Sequence, residues 1–175
     1  MRTKNLLLIL LITCLISFIF AVPAYAVTFR AGEPSVTITE DQTIKDDLYA
    51  AGQSVDIRGN VDGDVLAAAG TVTVDGTVSG DLITAGGTVF VNGEVKDDVR
   101  IGGGTVYVNG KVGGDVLVGG GQVVLGSGSE VGRDALFGAG TLRADGSVGR
   151  NLWVGSGTTE LNGTVGIMPE STATP

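Results

Sequence analysis

Hydrophobic and polar residues follow a unit that repeats along most of this 175-residue chain. The unit is close to Asp-(Val/Leu)-x-x-(Ala/Gly)-Gly-Gly-Thr-Val-x-Val-(Asn/Asp)-Gly-x-Val-x-Gly, and we number its positions from the first residue. That first residue is Asp47, Asp64, Asp81, Asp98, Asp115, Asp134 and, in the last copy, Asn151. Successive copies begin 17 residues apart, except for one step of 19 that ends at Asp134. Seven copies therefore run from Asp47 to Ile167.

The apolar positions of the unit predict β-strands. Positions 2, 4, 9 and 11 are apolar in nearly every copy, and position 15 is always Val. Apolar residues two apart lie on one face of a strand, and β-branched side chains favour strands. The unit lacks the 3.6-residue period of an amphipathic helix. We expect three short strands per unit, around positions 2–4, 8–11 and 14–16.

The residues between the predicted strands are typical of corners. Positions 12 and 13 are Asn-Gly or Asp-Gly in most copies, and such pairs turn the chain through a positive φ at little cost. Positions 5–7 are small, so neighbouring units can stack and bury the apolar face that one unit cannot bury alone. The pattern predicts an all-β fold: a single-stranded, three-sided parallel β-helix of about 17 residues per coil. A left-handed hexapeptide helix, with about 18 residues per coil, fits this period less well.

A degenerate coil precedes the seven copies. Val36 and Ile38 match positions 9 and 11, and Ile44 matches position 15. The two extra residues between Ile38 and Ile44 recur between Leu125 and Val131, which predicts a bulged corner at both places. We expect an N-terminal cap and partial coil at 27–46, the β-helix at 47–167 and a flexible tail at 168–175.

The first 26 residues have the pattern of a secretory signal peptide. Arg2 and Lys4 precede an apolar run, and Ala24-Tyr25-Ala26 supplies the small residues of a cleavage site. We expect an exported protein that is periplasmic, on the cell surface or extracellular. Two alternatives stay open: an uncleaved leader that anchors the chain in the membrane, and lipidation at Cys14.

Composition excludes several kinds of chemistry. The chain has no His, and its single Cys is Cys14 in the leader, so the mature protein has no Cys/His zinc site, disulfide or Cys nucleophile. The net charge is −8, and nucleic acid is not an expected partner because phosphate binding needs a basic surface. We expect no catalytic residue, no cofactor and no metal ion, and therefore a protein that is not an enzyme.

Two interpretations of the acidic first position stay open. Six Asp residues stacked about 4.8 Å apart would repel one another, and Ca²⁺ bound between them would relieve that repulsion. Alternatively, each Asp caps a corner by accepting a backbone N–H. We favour capping, because the Gly-Gly-x-Gly-x-Asp motif of calcium-binding β-rolls is absent. Carboxylate pairs hydrolyse sugars in some β-helix proteins, but no unique acidic cluster breaks the repeat here.

Position 3 provides a candidate contact surface. It should face outward, yet it is apolar in every copy except the one that holds Arg100. The resulting stripe consists of Tyr49, Leu66, Ile83, Leu117, Leu136 and Trp153. Such a stripe suggests contact with a lateral partner, a membrane, the cell wall or another segment of the chain, unless strand twist half-buries both faces. A smaller second patch at position 10 consists of Phe90, Tyr107 and Val124.

The repeat Gly-Gly-Thr-Val-x-Val-Asn-Gly-x-Val-x-Gly-Asp-Val resembles that of the bactofilins, a polymer-forming cytoskeletal family. The resemblance covers about residues 28–167. The segments Phe29-Arg30-Ala31-Gly32-Glu33 and Asp46-Asp47-Leu48-Tyr49-Ala50-Ala51-Gly52 are similar to exported relatives of that family. The resemblance implies a right-handed β-helix that polymerises end to end without nucleotide. Typical bactofilins are cytoplasmic, so the leader implies an envelope role instead.

These observations predict a non-catalytic structural protein of the cell envelope that acts as a self-associating β-helix scaffold. Self-association can be end to end, where unpaired strand edges template another rod, or lateral. One alternative is a passive spacer or adhesin module of a larger surface protein. Another is a β-helix that binds polysaccharide.

Overall fold

The computed structural model describes residues 28–31 and 34–166, and all regular elements of this part are strands. The expected leader at 1–26 and the expected tail at 168–175 lie outside the described residues. The chain begins with β1 (Thr28–Ala31), β2 (Ser35–Ile38) and β3 (Thr43–Ile44). Ten-residue and two-residue strands then alternate: β4 (Leu48–Ile57), β5 (Asn60–Val61), β6 (Val65–Val74), β7 (Thr77–Val78), β8 (Leu82–Val91), β9 (Glu94–Val95), β10 (Val99–Val108), β11 (Lys111–Val112), β12 (Val116–Leu125), β13 (Glu130–Val131), β14 (Ala135–Ala144), β15 (Ser147–Val148), β16 (Leu152–Leu161) and β17 (Thr164–Val165).

The long and the short strands form two parallel sheets. The nine-stranded sheet has the order β1-β4-β6-β8-β10-β12-β14-β16, with β2 also paired to β4. The eight-stranded sheet has the order β17-β15-β13-β11-β9-β7-β5-β3. Residues pair with their equivalents in the next coil, as Val89 does with Val106 and Val106 with Val123. The chain is therefore a parallel β-helix with about 17 residues per coil, which confirms the predicted fold class.

Each complete coil contains two strands rather than the predicted three. The segments expected at positions 2–4 and 8–11 form one continuous strand that bends near position 7. In β8, Leu82 and Thr84 are buried, and so is Val89, which lies an odd number of residues beyond them. The inward-facing positions therefore change phase within the strand, and the pairing of β8 with β10 skips Gly87. Small residues allow this bend without ending the strand.

The core lies between the two sheets and consists of the inward positions 2, 4, 9, 11 and 15. Apolar side chains in these columns are at most 5% exposed from the first complete coil to the sixth. Volume is balanced within a coil, because the large Phe137 at position 4 accompanies the small Ala135 at position 2. In these six coils the one polar member of the columns is Thr84, whose buried hydroxyl has no hydrogen-bond partner in the described structure.

The corner glycines at position 13 do not have the positive φ that the sequence predicts. Within the described residues, Gly166 is the only one with positive φ, at 70°. A Cβ at Gly93 would instead lie 1.9 Å from the carbonyl oxygen of Gly76 in the preceding coil. A Cβ at Gly110 would lie 1.8 Å from the carbonyl oxygen of Gly93. Close stacking of neighbouring coils, and not backbone conformation, therefore requires glycine at this corner.

The residues before these glycines form a side-chain ladder. Asn92 Nδ2 donates to Asp75 Oδ1 at 2.8 Å, and Asn109 Nδ2 donates to Asn92 Oδ1 at 2.9 Å. Asn162 Nδ2 donates to Asp145 Oδ1 in the same way at 2.8 Å. The preference for Asn and Asp at position 12 therefore follows from contact between coils.

The two insertions form the same kind of turn. In the leading coil the N–H of Gln42 donates to the carbonyl of Thr39 at 2.9 Å. In the later coil the N–H of Ser129 donates to the carbonyl of Gly126 at 3.0 Å. The predicted bulged corners are thus confirmed. Ahead of the first bulge, β1 pairs with positions 2–5 of β4, so a strand lies within the segment expected to be a cap.

We expect Gly110→Ala to destabilise the protein by about 2–4 kcal/mol, because the methyl group would overlap the backbone of the preceding coil. Gly102→Ala is the matched control, since a Cβ at Gly102 meets nothing within 4 Å. That change should be neutral or stabilise by up to about 1 kcal/mol. Urea unfolding monitored by the emission of Trp153 measures both. Equal effects of the two substitutions would contradict the stacking explanation.

Candidate functional site

The acidic first positions form a hydrogen-bonded ladder along one corner of the rod. Oδ1 of each Asp accepts the backbone N–H of the equivalent residue in the next coil. The distances are 2.9 Å from Asp47 to Asp64, 2.8 Å to Asp81, 3.1 Å to Asp98, 2.8 Å to Asp115, 3.0 Å to Asp134 and 3.1 Å to Asn151. The capping interpretation of the Asp column is confirmed. Each carboxylate extends the backbone ladder by one hydrogen bond beyond the first residue of a long strand.

Three arginines, which the sequence analysis did not connect with the acidic column, lie among the carboxylates of its C-terminal part. The pairs are Arg100 with Asp81 and Asp98, Arg133 with Asp98 and Asp115, and Arg150 with Asp115 and Asp134, at 2.5–3.5 Å. Their guanidinium groups offset the repulsion expected between stacked carboxylates. The recurrence of Arg at position 17, at Arg133 and Arg150, is the sequence feature that could have indicated them.

Asp81, Asp97 and Asp98 bring three carboxylate oxygens within 4.8 Å of one another. Arg100 contacts Asp81 and Asp98, each at 2.8 Å. Arg133 contacts Asp98 at 2.5 Å and Asp97 at 3.6 Å. The oxygens of this cluster therefore already face cationic side chains, and the arrangement is that of an ion-pair network.

The surroundings of Asp98 favour its charged form. The hydrogen bond from the Asp115 N–H holds the pKa of Asp98 below its usual value, and Arg133 and Arg100 act in the same direction against the effect of partial burial. A glycosidase acid needs a carboxyl group whose pKa is raised, so that it carries a proton near neutral pH. Asp98 therefore has the electrostatics of a structural carboxylate rather than of a proton donor.

The stripe at position 3 lies on the outer face of the nine-stranded sheet. Its residues are neighbours from coil to coil through the pairing of the long strands. Leu66, Ile83, Leu117, Leu136 and Trp153 are 41–52% exposed, and Tyr49 is half-buried. Strand twist therefore does not bury this face. Arg100 divides the stripe into two apolar parts of three residues each.

The two parts of the stripe differ in their surroundings. Tyr49, Leu66 and Ile83 line a shallow groove of about 320 Å³ together with alanines of the same strands. Leu117, Leu136 and Trp153 line a second groove of about 310 Å³, whose other margin contains carboxylates of the acidic column. The two parts of the stripe thus offer different surfaces: the first groove is lined mainly by apolar residues, and the second combines apolar residues with charged ones.

The second patch is smaller, and two of its aromatic rings cover part of each other's surface. The rings of Phe90 and Tyr107 stack with their centroids 5.0 Å apart and their planes 4° from parallel. Phe90, Tyr107 and Val124 are half-buried. Because each stacked ring hides one face of the other, less apolar surface is left here for a partner than at the stripe.

No family model, curated protein or solved structure matches this chain. Within residues 28–31 and 34–166, no helix is long and apolar enough to cross a membrane.

We expect Asp98→Asn to reduce stability by about 1 kcal/mol at pH 7. Asn can still accept the Asp115 N–H, but the charge that faces Arg100 and Arg133 is lost. Because the pKa of Asp98 is lowered by folding, its charge stabilises the fold above the unfolded pKa of about 4, and this contribution is lost as the pH falls through the folded pKa. The difference from wild type should therefore disappear near pH 2 in urea titrations.

Asp64→Asn is the control for this prediction. Asp64 accepts the same ladder bond, from the N–H of Asp81 at 2.8 Å, but the ion pairs of the described column begin at Asp81. We expect a change below about 0.5 kcal/mol at either pH. Similar losses in the two variants at pH 7, or a loss in Asp98→Asn that persists in acid, would show that the ion pairs do not stabilise the column.

Proposed function

We propose that this protein is a non-catalytic structural component of the cell envelope, a self-associating β-helix scaffold of the bactofilin type. The resemblance of the repeat to bactofilins supports polymer formation, and the leader-like first 26 residues support export. The single observation that carries the proposal is the exposure of apolar core positions in the last coil that the structure describes.

The two ends of the described rod differ in how their apolar columns are covered. In the leading coil Val36 is 3% exposed and Ile38 is fully buried. In the last coil the equivalent inward position 11 holds Leu161, which is 54% exposed, and position 15 holds Val165, which is 44% exposed. Elsewhere a following coil covers these columns, so the last coil presents the surface on which another coil would stack.

The backbone at this end has strand edges to which a partner could hydrogen-bond. Among residues 28–31 and 34–166, β16 and β17 are the outermost strands of the two sheets at this end, and each pairs on one side only, with β14 and β15 respectively. Unpaired strand edges of this kind template the addition of further strands. A second rod that adds a coil here would gain both the hydrogen bonds and the apolar contacts that hold successive coils together.

We expect Leu161→Lys/Val165→Lys to weaken association at least about tenfold, because two ammonium groups would have to be buried at the end of the core. The protein is expressed from the full 175-residue sequence, and its N-terminus is determined by mass spectrometry. Multi-angle light scattering over a concentration series and negative-stain electron microscopy then measure its size and shape.

Thr158→Lys/Thr164→Lys is the matched control, because it adds the same charge to exposed residues of the same coil outside the apolar columns. This variant should assemble like wild type. The proposal fails if wild type stays monomeric at all concentrations and salt levels, or if the end variant assembles as readily as the control.

A further inference from the structure

The outer face of the long strands carries a trough beside the stripe. Position 5 also faces outward and holds Ala in the first three complete coils and Gly in the last four: Ala51, Ala68, Ala85, Gly102, Gly119, Gly138 and Gly155. A Cβ at any of these four glycines would meet nothing within 4 Å, so the stacking of coils does not require them. Glycine weakens a strand and often marks the close approach of another chain. The face therefore consists of a ridge of large side chains, apolar except for Arg100, and a parallel channel that holds only the methyl groups of three alanines and, further along, no side chains.

We propose that two copies of this chain pack side by side in parallel, with the stripe of each copy in the trough of the other. A two-fold axis parallel to the rod, between positions 3 and 5, produces this arrangement. Leu117 of one copy then lies against Gly119 of the second, and Leu136 lies against Gly138 of the second. Both copies repeat about every 4.8 Å, so the match extends over all seven coils.

Charge favours this parallel pair over an antiparallel one. In the parallel pair the two acidic columns lie at opposite margins of the interface. Each column is then beside positions 7 and 8 of the other copy, where glycine and the hydroxyl groups of residues such as Thr88 and Thr105 lie. An antiparallel pair would place stripe on stripe and acidic column on acidic column, and the carboxylates would repel.

Arg100 is compatible with this interface. It is the one cation in the stripe, and both of its terminal nitrogens contact carboxylates of its own chain, Asp81 and Asp98, at 2.8 Å. The stripe therefore brings no unpaired charge to the contact. Arg100 would lie over Gly102 of the second copy, whose open surface leaves room for the side chain.

The size of the face predicts a weak contact between single rods. Seven coils extend over about 30 Å, and positions 2–6 span about 15 Å, so a pair buries roughly 900 Å² in total. That area is below the range of stable protein–protein interfaces. Rods already joined at their ends would present several such faces in register, and the contacts would then reinforce one another.

This inference rests on the proposed self-association but uses a different surface, so the two can be tested separately. The end variant Leu161→Lys/Val165→Lys serves as the background, because it removes the end contact. In this background, sedimentation equilibrium should show a concentration-dependent dimer. The emission of Trp153, the only Trp of the chain, should shift to the blue as the dimer forms and covers it.

Two sets of substitutions should abolish the dimer in this background. Gly119→Gln/Gly138→Gln fills the trough without a clash in the monomer, and Leu117→Gln/Leu136→Gln makes the ridge polar. Each should raise the dissociation constant at least about tenfold. The control Phe90→Gln/Val124→Gln changes the second patch and should leave the dimer intact. Unchanged unfolding midpoints of the two test variants exclude a folding defect.

Orientation is tested with cysteine pairs. A short bis-maleimide should link a Leu117→Cys chain to a Gly119→Cys chain, and should not link Leu117→Cys to Ile83→Cys, which an antiparallel pair would bring together in its stripe-on-stripe contact. The reverse result overturns the parallel arrangement.

The lateral pair is also overturned if the end variant is monomeric at all concentrations, or if only the second-patch variant disrupts the dimer. It is overturned as well if the monomer floats with phosphatidylcholine vesicles and the emission of Trp153 shows that this residue contacts the lipid. In these cases wild type can still assemble through its ends. A wild type that stops at the lateral dimer would instead refute the end contact.

Discussion

Backbone hydrogen bonds between successive coils set one spacing, about 4.8 Å, for every feature of this rod. At that spacing a corner residue lies directly beside its equivalent in the next coil. The constraint excludes a Cβ where corners stack most tightly, as at Gly110, whose Cβ would be 1.8 Å from the preceding backbone. It also places an Asp side chain within hydrogen-bond distance of the next Asp N–H, and an Asn side chain within reach of the next Asn. The residue types at the repeated corner positions are thus those that are compatible with the spacing between coils.

The sequence predicted the features that depend on period alone. The apolar columns follow from residues two apart in a 17-residue unit, and both insertions follow from a local shift of that unit. Two details required coordinates. Whether a bend interrupts a strand depends on how the backbone passes through small residues such as Gly87, and composition does not specify this path. The role of the corner glycines was predicted wrongly, because positive φ and a lack of space both select glycine, and only distances to the next coil separate them.

The candidate contact surfaces were partly predictable for a similar reason. Outward apolar positions such as Leu117 are visible in a known register, whereas a trough is visible only when a glycine is shown to be unnecessary for stacking. The arginines of the acidic column are also a three-dimensional feature. Arg133 lies 35 residues from Asp98 in the chain, yet two coils of stacking bring their side chains to 2.5 Å. A charged ladder that stacking alone would make repulsive is in this way stabilised by residues from other coils.

The two proposed contacts together constrain the geometry of an assembly. If C-terminal ends met only one another, each end contact would be isologous, and two lateral pairs would close into a finite particle. Head-to-tail stacking of the last coil on a leading coil requires Val36 and Ile38, which are buried in the single rod, to become accessible to the added coil. It keeps every rod pointing in one direction, so growth does not close into a finite particle. A parallel lateral pair presents two C-terminal ends side by side with the same polarity. It is therefore compatible with head-to-tail growth of two joined rows of rods, in which each added pair makes two end contacts. An antiparallel pair would force the two rows to grow in opposite directions.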